Sequence, residues 1–228
     1  MSRTIHREVT GHDLRVWPEE VRRSGWSKLF GLPAAAPLRL HVDIGFGNGE
    51  FLTELARRDP GRAVVGIELS FKRVLKLARR LSASELRNVR LLGVDAAWAV
   101  REAFEDESVE CFWINFPDPW PKRRHQRRRF VEPVFVGELS RRLIMGGSLH
   151  VATDAPEYAA AIRSALEGEP LLGNAVAPTA YQDERRELPS TAFQREWTAQ
   201  RRPCFFFQHP RVKAIAASRS GDPARVAS

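Results

Sequence analysis

The sequence predicts an α/β protein built on a doubly wound, mostly parallel sheet, with helices on both faces and an antiparallel hairpin at one edge. Three observations predict it. From residue 38 short apolar runs alternate with amphipathic stretches of helical period. The apolar runs are nearly continuous, as in strands buried on both faces. Glycines or acids stand at their carboxyl ends, where open α/β sheets bind ligands.

Taken in order, residues 1–37 mix Arg, His, Trp and Pro without clear periodicity and end in LPAAAP, which reads as a basic N-terminal arm. Strand signals follow at LRLHVDIGF (38–46), AVVGIEL (63–69), VRLLGVD (89–95), VECFWINF (109–116) and GGSLHVAT (146–153). Helix signals lie between and after them at EFLTELARR, FKRVLKLARRL, AAWAVREAF, VEPVFVGELSRRLI (131–144) and PEYAAAIRSALE. AVAPTAY (175–181) and CFFFQ (204–208) are two further strand candidates, suited to an antiparallel edge hairpin. Together these define one Rossmann-like domain at 38–213, with a small, polar tail at 214–228 that is expected to be disordered.

Composition narrows the function. The 228 residues carry 36 Lys and Arg against 28 Asp and Glu, a net charge of +8, which favours a polyanionic partner such as nucleic acid. The two cysteines, Cys111 and Cys204, sit in apolar runs and read as reduced and buried, as in a cytoplasmic protein. No stretch approaches the roughly 18 to 20 uncharged apolar residues of a membrane span, and no signal-peptide block is present. No His, Cys or acid cluster has ligand spacing, so no metal is expected. Monomer and homodimer both remain open.

VDIGFGNGEF places Gly45, Gly47 and Gly49 between a strand and a helix, where a turn must let a ligand approach the backbone. Asp43 ends that strand on the same crevice. A dinucleotide would bring a pyrophosphate there and be repelled, whereas S-adenosylmethionine brings an ammonium and a sulfonium that the acid stabilises. Glu68 ends the second strand, where an acid can accept hydrogen bonds from both ribose hydroxyls, and Asp95 ends the third, within reach of an adenine amine. Singly, such acids are more often turn residues or helix caps.

The loop after the fourth strand, NFPDPWP, has three prolines in five residues, so Asp118 is held with little entropy left to lose. Its two oxygens match the N1–H and N2–H₂ donors of guanine, and Trp120 offers a stacking face. Lys122 to Arg129 then form a basic run that phosphates would neutralise. After the fifth strand, Asp154 in TDAPEY reads as the cap of the next helix on the same rim.

DIGFGNG, GIE, INFPDPWPKRRHQRRR and LHVATD, over about residues 40–165, resemble the bacterial tRNA (guanine-N7)-methyltransferases, a family of class I S-adenosylmethionine-dependent methyltransferases. The resemblance implies cofactor binding by Asp43, Glu68 and Asp95, an active-site role for Asp118, and substrate contacts from Lys122 and Asp154. It also implies tRNA as substrate, with the target guanine in the variable loop. The family's later TxFE motif is matched by Thr191, Ala192, Phe193 and Gln194, which lacks the usual basic residue and glutamate. Thr191, Phe193 and Gln194 are the implied substrate contacts there. Guanine N7 has a lone pair and no proton, so methyl transfer needs positioning more than a general base. The rival readings are an adenine amino-methyltransferase, a nicotinamide oxidoreductase and a non-catalytic RNA-binding relative.

Overall fold

The apolar runs become strands in sequence order: β1 (Leu40–Ile44), β2 (Ala63–Ile67), β3 (Val89–Leu92), β4 (Val109–Asn115), β5 (Leu143–Thr153) and β6 (Phe205–Pro210). This computed structural model describes residues 9, 11, 13–33, 36–183 and 203–214. Thr191, Phe193, Gln194 and the tail from residue 215 lie outside the described residues. The strands assemble as β3-β2-β1-β4-β5-β6; all pairs are parallel except β5 with β6. Every residue of β1 and β2 is buried; β2 is apolar throughout, while β1 also buries His41 and Asp43.

Helices α2 (Glu50–Arg58) and α3 (Phe71–Ser82) close one core with residues of β2, β3 and β4. Helices α4 (Ala96–Ala103), α5 (Pro133–Arg142) and α6 (Pro156–Glu167) close a second core on the opposite face. The chain winds outward through β2 and β3, then returns to place β4 on the other side of β1. That reversal opens a crevice at the carboxyl ends of β1 and β4, the usual ligand site of such sheets.

Residues 13–29 differ from the reading of an arm without periodicity. Helix α1 (Pro18–Leu29) packs against α4, burying Val21 and Trp26, and Trp26 donates its indole N–H to Ala103 O at 2.7 Å. Gly25, with φ 72, kinks the helix and breaks the apolar period that would have announced it. Ahead of it, Leu14 and Val16 bond Leu91 from the open side of β3 and shield that edge. Arg90, buried on β3, fastens α1 by donating to Leu29 O while lying 4.8 Å over the Phe30 ring.

The antiparallel edge is present, but it is not a hairpin of the two predicted segments. β6 pairs along β5, whereas 175–181 forms turns, and isolated bridges from Leu172 to Arg211 and from Gln182 to Phe206 flank them. Pro178 has no N–H to give a ladder, which explains why an apolar stretch failed to become a strand. The helix expected to reach residue 144 stops at Arg142, because β5 begins at Leu143 and passes a register shift before Ser148.

Two histidines are buried neutral. Burial pushes His209 down to about 4, with Glu167 opposing, and burial together with Arg62 and Arg39 pushes His41 down to about 3 despite Asp59. Both lie below the ordinary histidine value, so below pH 6.5 the unfolded chain binds protons that the folded chain refuses. Stability present above pH 6.5 is therefore lost as pH falls toward 4. His209→Asn is expected to flatten the decline in Tm between pH 6.5 and 4.5; a parallel decline would show that His209 does not drive it.

Candidate active site

The chain leaves β1 through a turn in which Gly45, Gly47 and Gly49 all hold positive φ, at 75°, 57° and 73°. Their surroundings differ. A Cβ on Gly45 would meet nothing within 4 Å, and one on Gly47 would touch only Gly45 O at 4.0 Å, so both open onto the crevice. A Cβ on Gly49 would lie 2.4 Å from Leu77 Cδ2, so that glycine lets α2 pack on α3. All three glycines line the cleft over the turn, and Gly49 serves helix packing as well.

A cleft of about 340 Å³ stands over this turn, lined by Asp43, residues 45–51, Arg73, Asn115, Phe116 and Asp118. Asp43, only 1% exposed, reaches it from the end of β1. Asp118 reaches it from the loop after β4 and is itself exposed. Three carboxylates, Asp43, Glu50 and Asp118, against the single cation Arg73 line one glycine-walled cleft, a balance that suits a cationic ligand and disfavours a pyrophosphate. The donor set therefore fits S-adenosylmethionine, whose ammonium and sulfonium need acids rather than phosphate-binding amides.

Glu68 stands behind the turn. Its Oε2 accepts from Gly47 N–H at 3.1 Å and its Oε1 from Ser70 N–H at 2.9 Å, while Arg73 Nη1 lies 3.7 Å from Oε2. It therefore links the glycine turn to the start of α3. Asp95 is the N-cap of α4, accepting from Trp98 N–H at 2.9 Å, and remains exposed at the end of β3. Both acids occupy the carboxyl edge of the sheet, but neither lines the cleft itself.

The PDPWP loop is bracketed by two residues in the left-handed region, Phe116 at φ 51° and Trp120 at φ 42°. For bulky side chains this costs about 1–3 kcal/mol each, so neighbours must hold the loop. At one end Phe116 donates its N–H to Ala152 O at 2.8 Å and packs edge-on against Phe206. At the other, Trp120 meets His125 edge-on and carries the Arg128 guanidinium 4.9 Å over its ring. The stacking face expected of Trp120 is thus partly covered by a cation.

The basic run divides in two. Lys122, Arg124 and Arg127 are exposed along the 3₁₀ turn Arg123–Arg128. Arg128 and Arg129 instead contact the loop: Arg129 Nε–H donates to Pro119 O at 2.7 Å. Asp154 emerges from β5 on the same rim, because β4 and β5 run parallel. It is not the cap of α6, contrary to the sequence reading; Ala155 holds that position and takes its N–H to Thr153 Oγ1 at 3.3 Å. The intervening Ala155 and the proline at the first helical position shift the helix start by one residue.

Sequence reading missed Arg73. Its signal is a cation in the first turn of α3, where the helix dipole disfavours positive charge and no acid offsets it within the turn. Among the described residues no group of His, Cys, Asp and Glu could hold a metal ion, and no helix is long and apolar enough to cross a membrane. Cys111 and Cys204 are buried and form no disulfide.

The family described as "Putative methyltransferase" matches residues 38–207. The tRNA (guanine-N(7)-)-methyltransferase of Thermotoga maritima is 39% identical over 188 residues, covering 82% of this chain and 58% of that protein. The protein of the same name from Halorhodospira halophila is 38% identical over 183 residues and 79% of each chain. The chain therefore spans under two thirds of the first relative and over three quarters of the second. Among solved structures, the antibiotic-resistance methyltransferase Kmr superposes with a TM-score of 0.56 at 17% identity, covering 79% of this chain and 90% of that one. The 16S rRNA methyltransferase KamB gives 0.56 at 16%, covering 83% and 93%. At these identities the structures share the fold.

Proposed function

The chain belongs to the tRNA (guanine-N7)-methyltransferase family of class I, S-adenosylmethionine-dependent enzymes, and from that premise we propose that it methylates N7 of a guanine in the variable loop of tRNA. The observation that carries this reading is the meeting of Asp43, the glycine turn and Asp118 in one cleft at the β1–β4 reversal.

In this reading Asp43, Gly45, Gly47 and Glu68 hold the methionine and ribose portions of S-adenosylmethionine, with Asp95 toward the adenine; Gly49 contributes by seating α2. When bound, the cofactor would supply an electrophilic methyl group on a sulfonium sulfur, the acceptor for the N7 lone pair, with the C–S bonding pair left on sulfur. Asp118 holds the guanine edge through its N–H donors and places N7 in line with the methyl. Its charge favours the purine as that ring becomes cationic. No residue need remove a proton before transfer. Lys122 and Asp154 contact substrate from the rim, and Thr191, Phe193 and Gln194 complete the contact.

The exposed cations orient the RNA. Replacing Lys122, Arg124 and Arg127 together by alanine is expected to reduce the slope of log affinity for tRNA against log salt by about 2. An unchanged slope would remove this face from the interface. The reaction itself is tested by incubating the full chain with unmodified tRNA and methyl-labelled donor, then digesting the RNA to nucleosides. Label in 7-methylguanosine at a variable-loop position supports the proposal. Label in adenine would assign the rival amino-methyltransferase chemistry, and RNA binding without label would assign a non-catalytic relative.

A further inference from the structure

We propose that Arg129 is a positioning residue that fixes Asp118 relative to Asp154, by tying the PDPWP loop to the first turn of α6. The proposal rests on the functional reading above and adds to it a role for one member of the basic run. Arg129 is half-buried and makes two contacts at once. Its Nε–H donates to Pro119 O at 2.7 Å, and its guanidinium lies 4.8 Å over the Tyr158 ring. Pro119 follows Asp118 directly, and Tyr158 stands one helical turn beyond Asp154. One side chain therefore spans the loops that bring two acids to the same rim.

The loop needs such a tie. Pro117, Pro119 and Pro121 have no N–H, so few turn hydrogen bonds can hold the segment, and left-handed Phe116 and Trp120 favour its relaxation. Phe116 is secured by β5 and β6, while the far half relies on contacts from the basic run. The anchor itself is firm. Tyr158 is fully buried, accepts Val131 N–H at 3.2 Å on its hydroxyl, and is kept protonated by burial. The guanidinium plane matches both partners; an ammonium in its place would lack the directed Nε–H and the flat stacking surface.

The test uses Arg129→Lys and Arg129→Ala in the full chain, with two readouts. Single-turnover methylation of unmodified tRNA, at saturating RNA and donor, should fall about 10- to 100-fold in both variants, because lysine keeps the charge but not the geometry. The salt slope of RNA binding should stay at the wild-type value. Hydrogen exchange in the segment 116–131, measured without RNA, should rise in both variants while the β1–β3 core stays protected. A lysine variant with wild-type rate, or an alanine variant whose salt slope drops at an unchanged rate, would make Arg129 a phosphate contact and overturn the proposal. Unchanged exchange would overturn it as well. The exchange measurement needs no substrate, so an absence of methylation in the wild-type chain would count against the functional reading and leave the brace tested on its own.

Discussion

Asp118→Asn is expected to slow single-turnover methylation of tRNA on the order of 10²-fold, with little change in RNA affinity. Asparagine keeps the size of the side chain, one acceptor oxygen and the same loop, so only the second acceptor and the charge are lost. If the carboxylate only helped the RNA to dock, the loss would appear in the apparent KM and disappear at saturating RNA. Because the purine gains positive charge as the N–C bond forms, the stabilisation grows along the reaction and its removal falls on the rate of the bound complex. Asp118 is exposed in the chain alone, so the full effect requires the RNA to exclude water from the cleft. A near-normal rate for Asp118→Asn at saturation would show that its charge has no part in the chemistry.

The second large effect is on stability. Arg211→Met is expected to cost about 3 kcal/mol, or a fall in Tm of about 6–12 °C. The Arg211 side chain is 0% exposed and donates to Leu143 O, to Lys213 O at 3.1 Å and to Glu107 Oε1 at 2.5 Å. It joins the end of β6 to the start of β5 and to the turn where Glu107 holds φ 58°. Methionine roughly restores the buried volume but removes the guanidinium donor from those carbonyls. The half-exposed Glu107 pair contributes little by itself, so Glu107→Gln should cost under about 1 kcal/mol. Thermal melts of the two variants separate the contributions. Equal losses would mean that the ion pair, not the buried carbonyl contacts, holds this edge.

Strands β1 to β4 and the buried end of β5 were legible as short runs dominated by apolar residues, whereas the start of β5 at Leu143 was read as helix. The glycine turn and Asp43 were legible because backbone freedom and charge are local properties of DIGFGNG. Helix α1 was not, since Gly25 interrupts its period and its burial depends on α4, far along the chain. The arginines of the basic run look alike as letters. Only the folded loop separates Arg127, which faces solvent, from Arg129, which holds Pro119. The three glycines were read as one motif, yet only Gly49, which lines the cleft with the others, is also pressed by Leu77. Arg211, His41 and His209 escaped notice because their roles arise from long-range partners and burial, neither of which leaves a local pattern.

A cationic methyl donor seated against Asp43 is tested most directly by calorimetric titration of the full chain with S-adenosylmethionine in the presence of unmodified tRNA. Saturable binding that weakens about tenfold or more in Asp43→Asn is the expected result. An absence of binding heat in the wild-type chain, or equal affinity in the two proteins, would contradict it.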